Sequence, residues 1–385
     1  MKEGWEYKKL GEVCQSDLGK TLNQSKDTGD LYPYLCAVNI LWDKIDLSTL
    51  KQTRFEKTEL ERYSVRKGDL LVCEGGDIGR AAIWDRDEII QYQNALHRIR
   101  FNGEILPRFC LLYLRNLKQK GILDHKYGKG VTILHLVKSS LLSIPIPIPS
   151  TSEQQQIVSE LDLLSGVIEK QKAQLEELDK LAQSIFHDMF GDPVTNEKGW
   201  KQEKLGHIFQ TSSGGTPSKN NIEYYEGGSI PWLRSGEVSQ GFIYKTELFI
   251  TEAGMNNSSA KIFPVDTVAI AMYGATVGQV GIIKVPMTTN QAVCGLFPNP
   301  DYSPIFMMFF LKGMQPVFLK DATGGAQPNI SQGIIKNTYI PLIPLSLQQE
   351  FAAKVEAIEA MKTKVRQSLK EAETLFKERM DYYFN

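Results

Sequence analysis

Cysteine is scarce. Five residues (Cys14, Cys36, Cys73, Cys110 and Cys294) occur in 385, odd in number and never in a CxxC pair, which argues against both a disulfide framework and a zinc knuckle. They read as buried thiols in a reducing compartment. Long hydrophobic runs are missing as well: the densest, Phe306 to Leu311 (FMMFFL), falls far short of the roughly 18 residues that span a bilayer. No membrane segment is expected. The first residues, MKEGWEYKKLGEV, hold neither an apolar core nor a small-residue cleavage site, so nothing marks the chain for export and a cytoplasmic location is the expectation. An excess of charge of one sign is also absent. With 44 Lys+Arg against 45 Asp+Glu, any nucleic-acid binding has to rest on local patches and not on a basic domain.

Motifs for catalysis are missing in the same way. The five histidines (His97, His125, His135, His187 and His207) form no HExxH or other ligand spacing, so no metal is expected. Neither G-x-x-x-x-G-K-[ST] nor a strand-linked G-x-G-x-x-G is present, which leaves no cradle for a nucleotide phosphate. NPDY (Asn299 to Tyr302) is one residue from the NPPY with which amino-methyltransferases hold an adenine, but its second proline is an aspartate and no Gly-rich loop precedes it. It reads as a surface turn.

What the chain does have is repetition. WEYKKLGEV (Trp5 to Val13) returns as WKQEKLGHI (Trp200 to Ile208), and YPYLCAVNI (Tyr32 to Ile40) as IPWLRSGEV (Ile230 to Val238). Further on, KGDLLVCEGGDIGRAAI (Lys67 to Ile83) matches PVDTVAIAMYGATVGQVGII (Pro264 to Ile283), and QNALHRI (Gln93 to Ile99) matches NQAVCGL (Asn290 to Leu296). The order is kept at a shift of about 195 residues, so the chain is two copies of one unit, in keeping with the usual 100–200 residues per domain. Within each copy, short segments such as DLLVC, HRIRF and DTVAIAM read as strands, and Pro107–Lys118 and Pro304–Leu311 as short helices. The expected class is α+β.

Both copies end in a proline-rich junction, IPIPIPSTSEQQQIV (Ile144 to Val158) and YIPLIPLSLQQEFAAKV (Tyr339 to Val355). The prolines predict extended chain, and the S-x-x-Q runs from Ser152 and Ser346 predict a capping box that starts a helix. Beyond them Ile157, Leu161, Leu164, Ile168, Gln171, Leu175, Leu178, Ala182, Ile185 and Met189 keep a 4-3 spacing, the seam of a coiled coil. The second helix repeats it with Phe351, Val355, Ile358, Lys362, Val365, Leu369, Ala372, Phe376, Arg379 and Tyr383, weakened at Lys362 and Arg379. Phe190-Gly191-Asp192-Pro193 supplies a Gly stop and a Pro breaker for the first helix. A helix of about 38 residues is roughly 57 Å long. Carrying the chain out from one globule and back from the other requires the two to run antiparallel. The expected organisation is a globule over 1–150, a central helix over 151–190, a second globule over 191–345 and a C-terminal helix over 346–385. The segment 151–190 is acidic, with 3 Lys/Arg against 8 Asp/Glu.

Gly-rich loops interspersed with basic, amide and aromatic side chains can reach phosphates and base edges. In the first copy the candidates are Arg80, then Gln93 and Asn94, then Lys126, Tyr127 and Lys129. In the second they are Ser213, Thr216, Lys219, Arg234, Tyr273, Thr276, Thr323, Gln327 and Asn329. The loops fall at matching places while their side chains differ, as two related readers of two different sequences would.

These features together resemble the specificity (S) subunit of type I restriction-modification systems. The resemblance is carried by the duplicated starts (Trp5, Leu10, Gly11 and Trp200, Leu205, Gly206), SGGTPS with the following IPW (Ser213 to Ser218, Ile230 to Trp232), the junction into a Gln-rich helix, and MFGDPVTNEKGW (Met189 to Trp200). It covers essentially the whole chain. It implies two target recognition domains, each reading half of a bipartite, asymmetric site in double-stranded DNA, separated by the helix pair. It further implies docking of two methyltransferase (M) subunits, which bind S-adenosylmethionine, and association of restriction (R) subunits. No cofactor is then expected on this chain and no catalysis by it. LGKTLNQSKDTGD (Leu18 to Asp30) departs from the SGGTPS pattern. The alternatives are a protein–protein adaptor without DNA binding and an intrinsic adenine methyltransferase.

Overall fold

The duplicated start and the proline junction are strand partners. In the computed structural model, which describes residues 4–23, 25, 27–323 and 327–384, Glu6–Lys9 pairs antiparallel with Pro145–Ile148, Glu6 opposite Ile148 and Lys9 opposite Pro145. Backbone groups alternate between the two edges of a strand. Prolines at every second position therefore place all their missing N–H groups on one edge, and leave the other for pairing. Gln202–Lys204 and Tyr339–Pro341 repeat the arrangement. The strand that opens each copy is thus closed by the segment that leads into its long helix.

The chain divides into two units, residues 1–172 with 367–385, and residues 173–366. In the first, Cys14–Leu18, Leu96–Phe101, Leu70–Cys73 and Ala81–Ile83 form an antiparallel four-stranded sheet in that order. A second sheet orders Lys51–Phe55, Asp30–Leu35, Ile90–Tyr92 and Ser64–Val65, with Asp30–Leu35 parallel to Ile90–Tyr92. Helix α1 (Pro107–Gln119) buries Phe109, Leu112 and Leu117. In the second unit, Thr211–Ser213, Val293–Leu296, Val268–Ala271, Val280–Ile283 and Phe242–Ile243 form the main sheet, and Leu248–Ile250, Ile230–Leu233 and Thr288–Thr289 the smaller one, each with one parallel pair. The α+β class and the internal repeat hold. All five cysteines are free thiols; burial pushes Cys73 up to about 11 and Cys294 up to about 12.

Helices α2 (Thr151–Phe190) and α4 (Leu345–Phe384) are each 40 residues long; α3 (Pro304–Gly313) is the counterpart of α1 in the second unit. Every seam position of the 4-3 pattern is buried or half-buried. In the first unit Glu160 accepts from the Arg379 guanidinium and the Tyr383 hydroxyl, Gln171 Nε2 donates to Ser368 Oγ at 2.6 Å, and Lys172 pairs with Glu373 at 3.0 Å. In the second unit Lys362 Nζ lies 2.7 Å from Asp179 Oδ1, and Lys354 Nζ lies 4.0 Å from Met189 Sδ. From Glu160 to Gln171 the partner falls from Arg379 to Ser368, and from Asp179 to Met189 it falls from Lys362 to Lys354, so the pairing is antiparallel in both. The two charged seam residues, Lys362 and Arg379, are the ones with carboxylate partners. Gly191 closes α2 at φ +80°, its N–H donating to His187 O at 2.8 Å.

The helix starts differ from the capping box read in the sequence. Ser152 and Ser346 lie inside the helices. The cap on α2 is Ser150, whose Oγ accepts from Glu153 N–H at 3.3 Å, while the Pro344 carbonyl receives Leu347 and Gln348 N–H on α4. The glutamine that matters is one residue earlier than expected. Gln154 is fully buried: its Oε1 accepts from Leu106 N–H at 2.8 Å, and its Nε2 donates to Glu104 O at 2.8 Å and Pro149 O at 3.0 Å. Gln348, also fully buried, accepts from Ser303 N–H at 2.9 Å and donates to Asp301 O at 3.2 Å and Ile343 O at 2.8 Å. Each amide clamps the first turn of a long helix to the start of the short helix in its own unit.

Removing such an amide strands buried backbone groups. Gln154→Ala and Gln348→Ala are each expected to cost about 2–4 kcal/mol in denaturant unfolding. Gln155→Ala and Gln349→Ala, at exposed positions, should stay within about 0.5 kcal/mol of the native chain.

Candidate nucleic-acid interface

The Gly-containing loops that the sequence scatters along each copy are tied to one another by backbone hydrogen bonds. In the first unit Gly19 N–H donates to Leu96 O (3.4 Å) and Lys20 N–H to Tyr92 O (3.0 Å), while Gln93 N–H reaches Leu35 O (2.9 Å). Glu74 N–H donates to Ala95 O (2.9 Å), Leu136 N–H to Glu74 O (2.6 Å), and Lys129 and His135 exchange a reciprocal pair at 2.8 Å each. The second unit builds the same ladder. Gly214 N–H reaches Val293 O (3.1 Å), Gly215 N–H reaches Thr289 O (2.9 Å), and Asn290 N–H reaches Leu233 O (2.9 Å). Met272 N–H donates to Ala292 O (2.8 Å), Ile330 N–H to Met272 O (2.9 Å), and Thr323 and Asn329 exchange bonds of 3.0 and 2.8 Å. Glycine is required where these loops touch: a Cβ on Gly19 would lie 2.3 Å from Tyr92 O, and one on Gly214 2.0 Å from Thr289 Oγ1.

This ladder brings together Gln93, Asn94 and Lys129 in the first unit, and Ser213, Thr216, Tyr273, Thr323 and Asn329 in the second. Tyr273 and Asn329 form an isolated β-bridge, Tyr273 exposes 42% of its surface, and the Thr276 hydroxyl donates to Tyr273 O at 2.9 Å. Gln327 and Lys219 are exposed; Gly324, Gly325 and Ala326 of the TGGAQPN loop lie outside the described residues. Three candidates make contacts within the chain. Arg80 turns back to donate to Ala37 O at 2.8 Å. Tyr127 is buried in the core of its unit, with the Lys126 ammonium over its ring, 5.5 Å from the centroid. Arg234 is held by Glu237 and Glu247.

Residues outside the sequence-derived set also join the ladder. His135 faces Gly75 across an isolated bridge, and the Thr216 hydroxyl donates to Gln291 Oε1. The shift that aligns QNALHRI with NQAVCGL, in which Gln291 follows Asn290, was the signal available for Gln291. Lys20, in the divergent LGKTLNQSKDTGD segment, spends its charge internally, with Glu59 at 2.6 Å and Asp27 at 3.4 Å. NPDY is a turn: Asp301 N–H donates to Asn299 Oδ1 at 2.9 Å, and Tyr302 is buried with its hydroxyl donating to Pro341 O at 3.2 Å. Among the described residues no group of three His, Cys, Asp or Glu is placed to hold a metal, and no helix is long and apolar enough to cross a membrane.

The family model for the type I restriction modification DNA specificity domain matches residues 2–180 and again 197–373. A putative type I restriction enzyme MjaX specificity subunit of Methanocaldococcus jannaschii is 26% identical over 382 residues, covering 93% of this chain and 87% of that one. The type I restriction enzyme EcoR124I/EcoR124II specificity subunit of Escherichia coli is 28% identical over 250 residues, 62% of this chain and 61% of the relative. A solved chain from work on complex assembly and conformational transition of the type I R-M system superposes with a TM-score of 0.63 at 19% identity, over 100% of this chain and 98% of that one. That likeness concerns the fold.

One ladder bond is pinned by a titratable group. His97 is fully buried with Nε2 2.7 Å from Leu136 O, and burial first, with Lys138 second among the lowering causes, holds its pKa below the ordinary 6.5. The folded chain keeps His97 neutral while the unfolded chain protonates it below about 6.5, so this contribution is present above that pH and lost as pH falls through it. The thermal stability of the first unit is expected to fall from about pH 7.5 to about 5.5. His97→Gln should flatten that slope.

Proposed function

The chain belongs to the type I restriction modification DNA specificity family, and on that footing we propose that it sets the DNA sequence specificity of a type I restriction-modification complex, each unit reading one half of a bipartite, asymmetric site. The observation that carries the proposal is the ladder: identical backbone bonds in two units, dressed with different side chains. A shared scaffold fixes where the loops lie, and the side chains on it decide which base edges are matched. In the first unit Gln93 and Asn94 offer amides and Lys129 a cation. In the second Ser213, Thr216, Tyr273, Thr323, Gln327 and Asn329 offer hydroxyl and amide groups, with Lys219 as the exposed cation.

The paired helices are proposed to set the gap between half-sites and to dock two methyltransferase subunits. Those subunits would carry S-adenosylmethionine and the chemistry, with restriction subunits joining the assembly, so this chain has a non-catalytic role. The Lys362 and Arg379 ion pairs support a fixed helix register, since a one-residue slip would leave a partly buried charge unmatched.

In complex with its modification partner, the chain is expected to bind one bipartite sequence at least about 10³-fold more tightly than random duplex at physiological salt; equal retention of both in a gel-shift titration would refute the reading. Insertion of four residues into both α2 and α4 at matched positions should lengthen the preferred gap, as read by mapping methylated adenines in a host carrying the variant. An unchanged gap would remove the helices from that role.

A further inference from the structure

The loop from Lys129 to His135 exposes two apolar side chains, while Leu134 packs on the core. Val131 is fully exposed, at 103% of its reference surface, and Ile133 exposes 62%. Single exposed aliphatics are ordinary. Here two β-branched residues share one short tip, and the tip has a fixed shape. Its root is closed by the reciprocal Lys129–His135 bonds and anchored by Leu136 N–H on Glu74 O. Gly130 sits at φ +118°, where a Cβ would come within 2.2 Å of Ile133 O. Leu136 beneath it is fully buried. The tip is therefore held out from the core by its own backbone, and the two side chains have no place to withdraw to.

The second unit has the same root, the reciprocal Thr323–Asn329 pair, but the sequence between its ends is Gly324-Gly325-Ala326-Gln327-Pro328. One root thus carries two different sequences. At the root of the first tip stand Gly75, bridged to His135, and the exposed Lys129, both part of the proposed DNA-reading ladder. On a base pair viewed from the major groove, the one apolar feature is the C5-methyl group of thymine.

We infer that Val131 and Ile133 form an apolar head that recognises a thymine methyl in the half-site read by the first unit, an inference that rests on the DNA-reading role proposed above. Removing one buried methyl from such a contact corresponds to about a fourfold loss of affinity.

The test uses the full chain with its modification partner and the bipartite duplex it methylates, each thymine in turn replaced by deoxyuridine, which lacks only the methyl. The expected result is that one or two substitutions, confined to one half-site, weaken binding by about fourfold, and that V131S/I133S loses this sensitivity while binding the thymine duplex as the native chain binds the deoxyuridine one. Both side chains are exposed, so the double variant should fold, and the deoxyuridine arm on the native chain needs no variant at all. Sequence-specific binding with no deoxyuridine effect, or the same effect retained in V131S/I133S, overturns the inference and leaves the DNA-reading role standing. Absence of sequence-specific binding by the native complex overturns both.

Discussion

A primary amide buried at the first turn of a long helix has to find its hydrogen bonds in the protein, because no water reaches it. Gln154 and Gln348 meet that demand by binding three backbone groups each, drawn from the segment that enters the short helix and from the proline junction. The direction in which each long helix leaves its own globule follows from these bonds. Proline strands alone would leave a rotation about the junction. The strand pairing fixes the junction, and the amide then fixes the helix on it.

From that start the apolar faces follow. In the first unit Ile157 and Leu161 from the beginning of α2 and Phe376, Met380 and Phe384 from the end of α4 enter one core with Phe109 of α1. In the second, Phe351 and Val355 from the beginning of α4 and Phe186 and Phe190 from the end of α2 enter one core with Phe306 of α3; Phe190 meets Phe306 at 4.9 Å between ring centres. Each helix therefore spends its strongest apolar residues at its ends on the globules. Between those ends the seam is half-buried and carries Gln171, Lys362 and Arg379. A charged seam residue opposes collapse unless its partner is in register, so the weaker positions of the heptad pattern are the ones that specify alignment.

Much of this was legible in the sequence because it depends on periodicity and repetition. The 4-3 spacing marked the buried stripe of both helices, the Phe190-Gly191-Asp192-Pro193 stop ended the first where expected, and the duplicated motifs fixed the equivalence of the two copies. The capping box misled because Ser152 and Gln155 have the right spacing but sit two residues too far along; the buried Gln154 has no local signature, since two of its three partners lie 48 and 50 residues away in sequence. Arg80 and Tyr127 looked like binding residues because Gly-rich surroundings suggest exposed loops. Their side chains instead fold back, one onto Ala37 O and one into the core, and side-chain direction within a loop has no period from which to read it.

The ladder is built from N–H and C=O groups alone, which every residue but proline supplies. Side chains on it can therefore change without breaking it, except where Gly19 and Gly214 allow two backbones to touch and where His97 occupies the space that Cys294 fills in the second unit. This separates the conditions for folding from those for recognition. Divergence between Gln93-Asn94 and Asn290-Gln291, or between Val131-Thr132-Ile133 and Gly325-Ala326-Gln327, alters the groups presented and leaves the bonds that present them intact. A chain that carries the scaffold twice then has two independently variable surfaces, as the proposed reading of an asymmetric site requires.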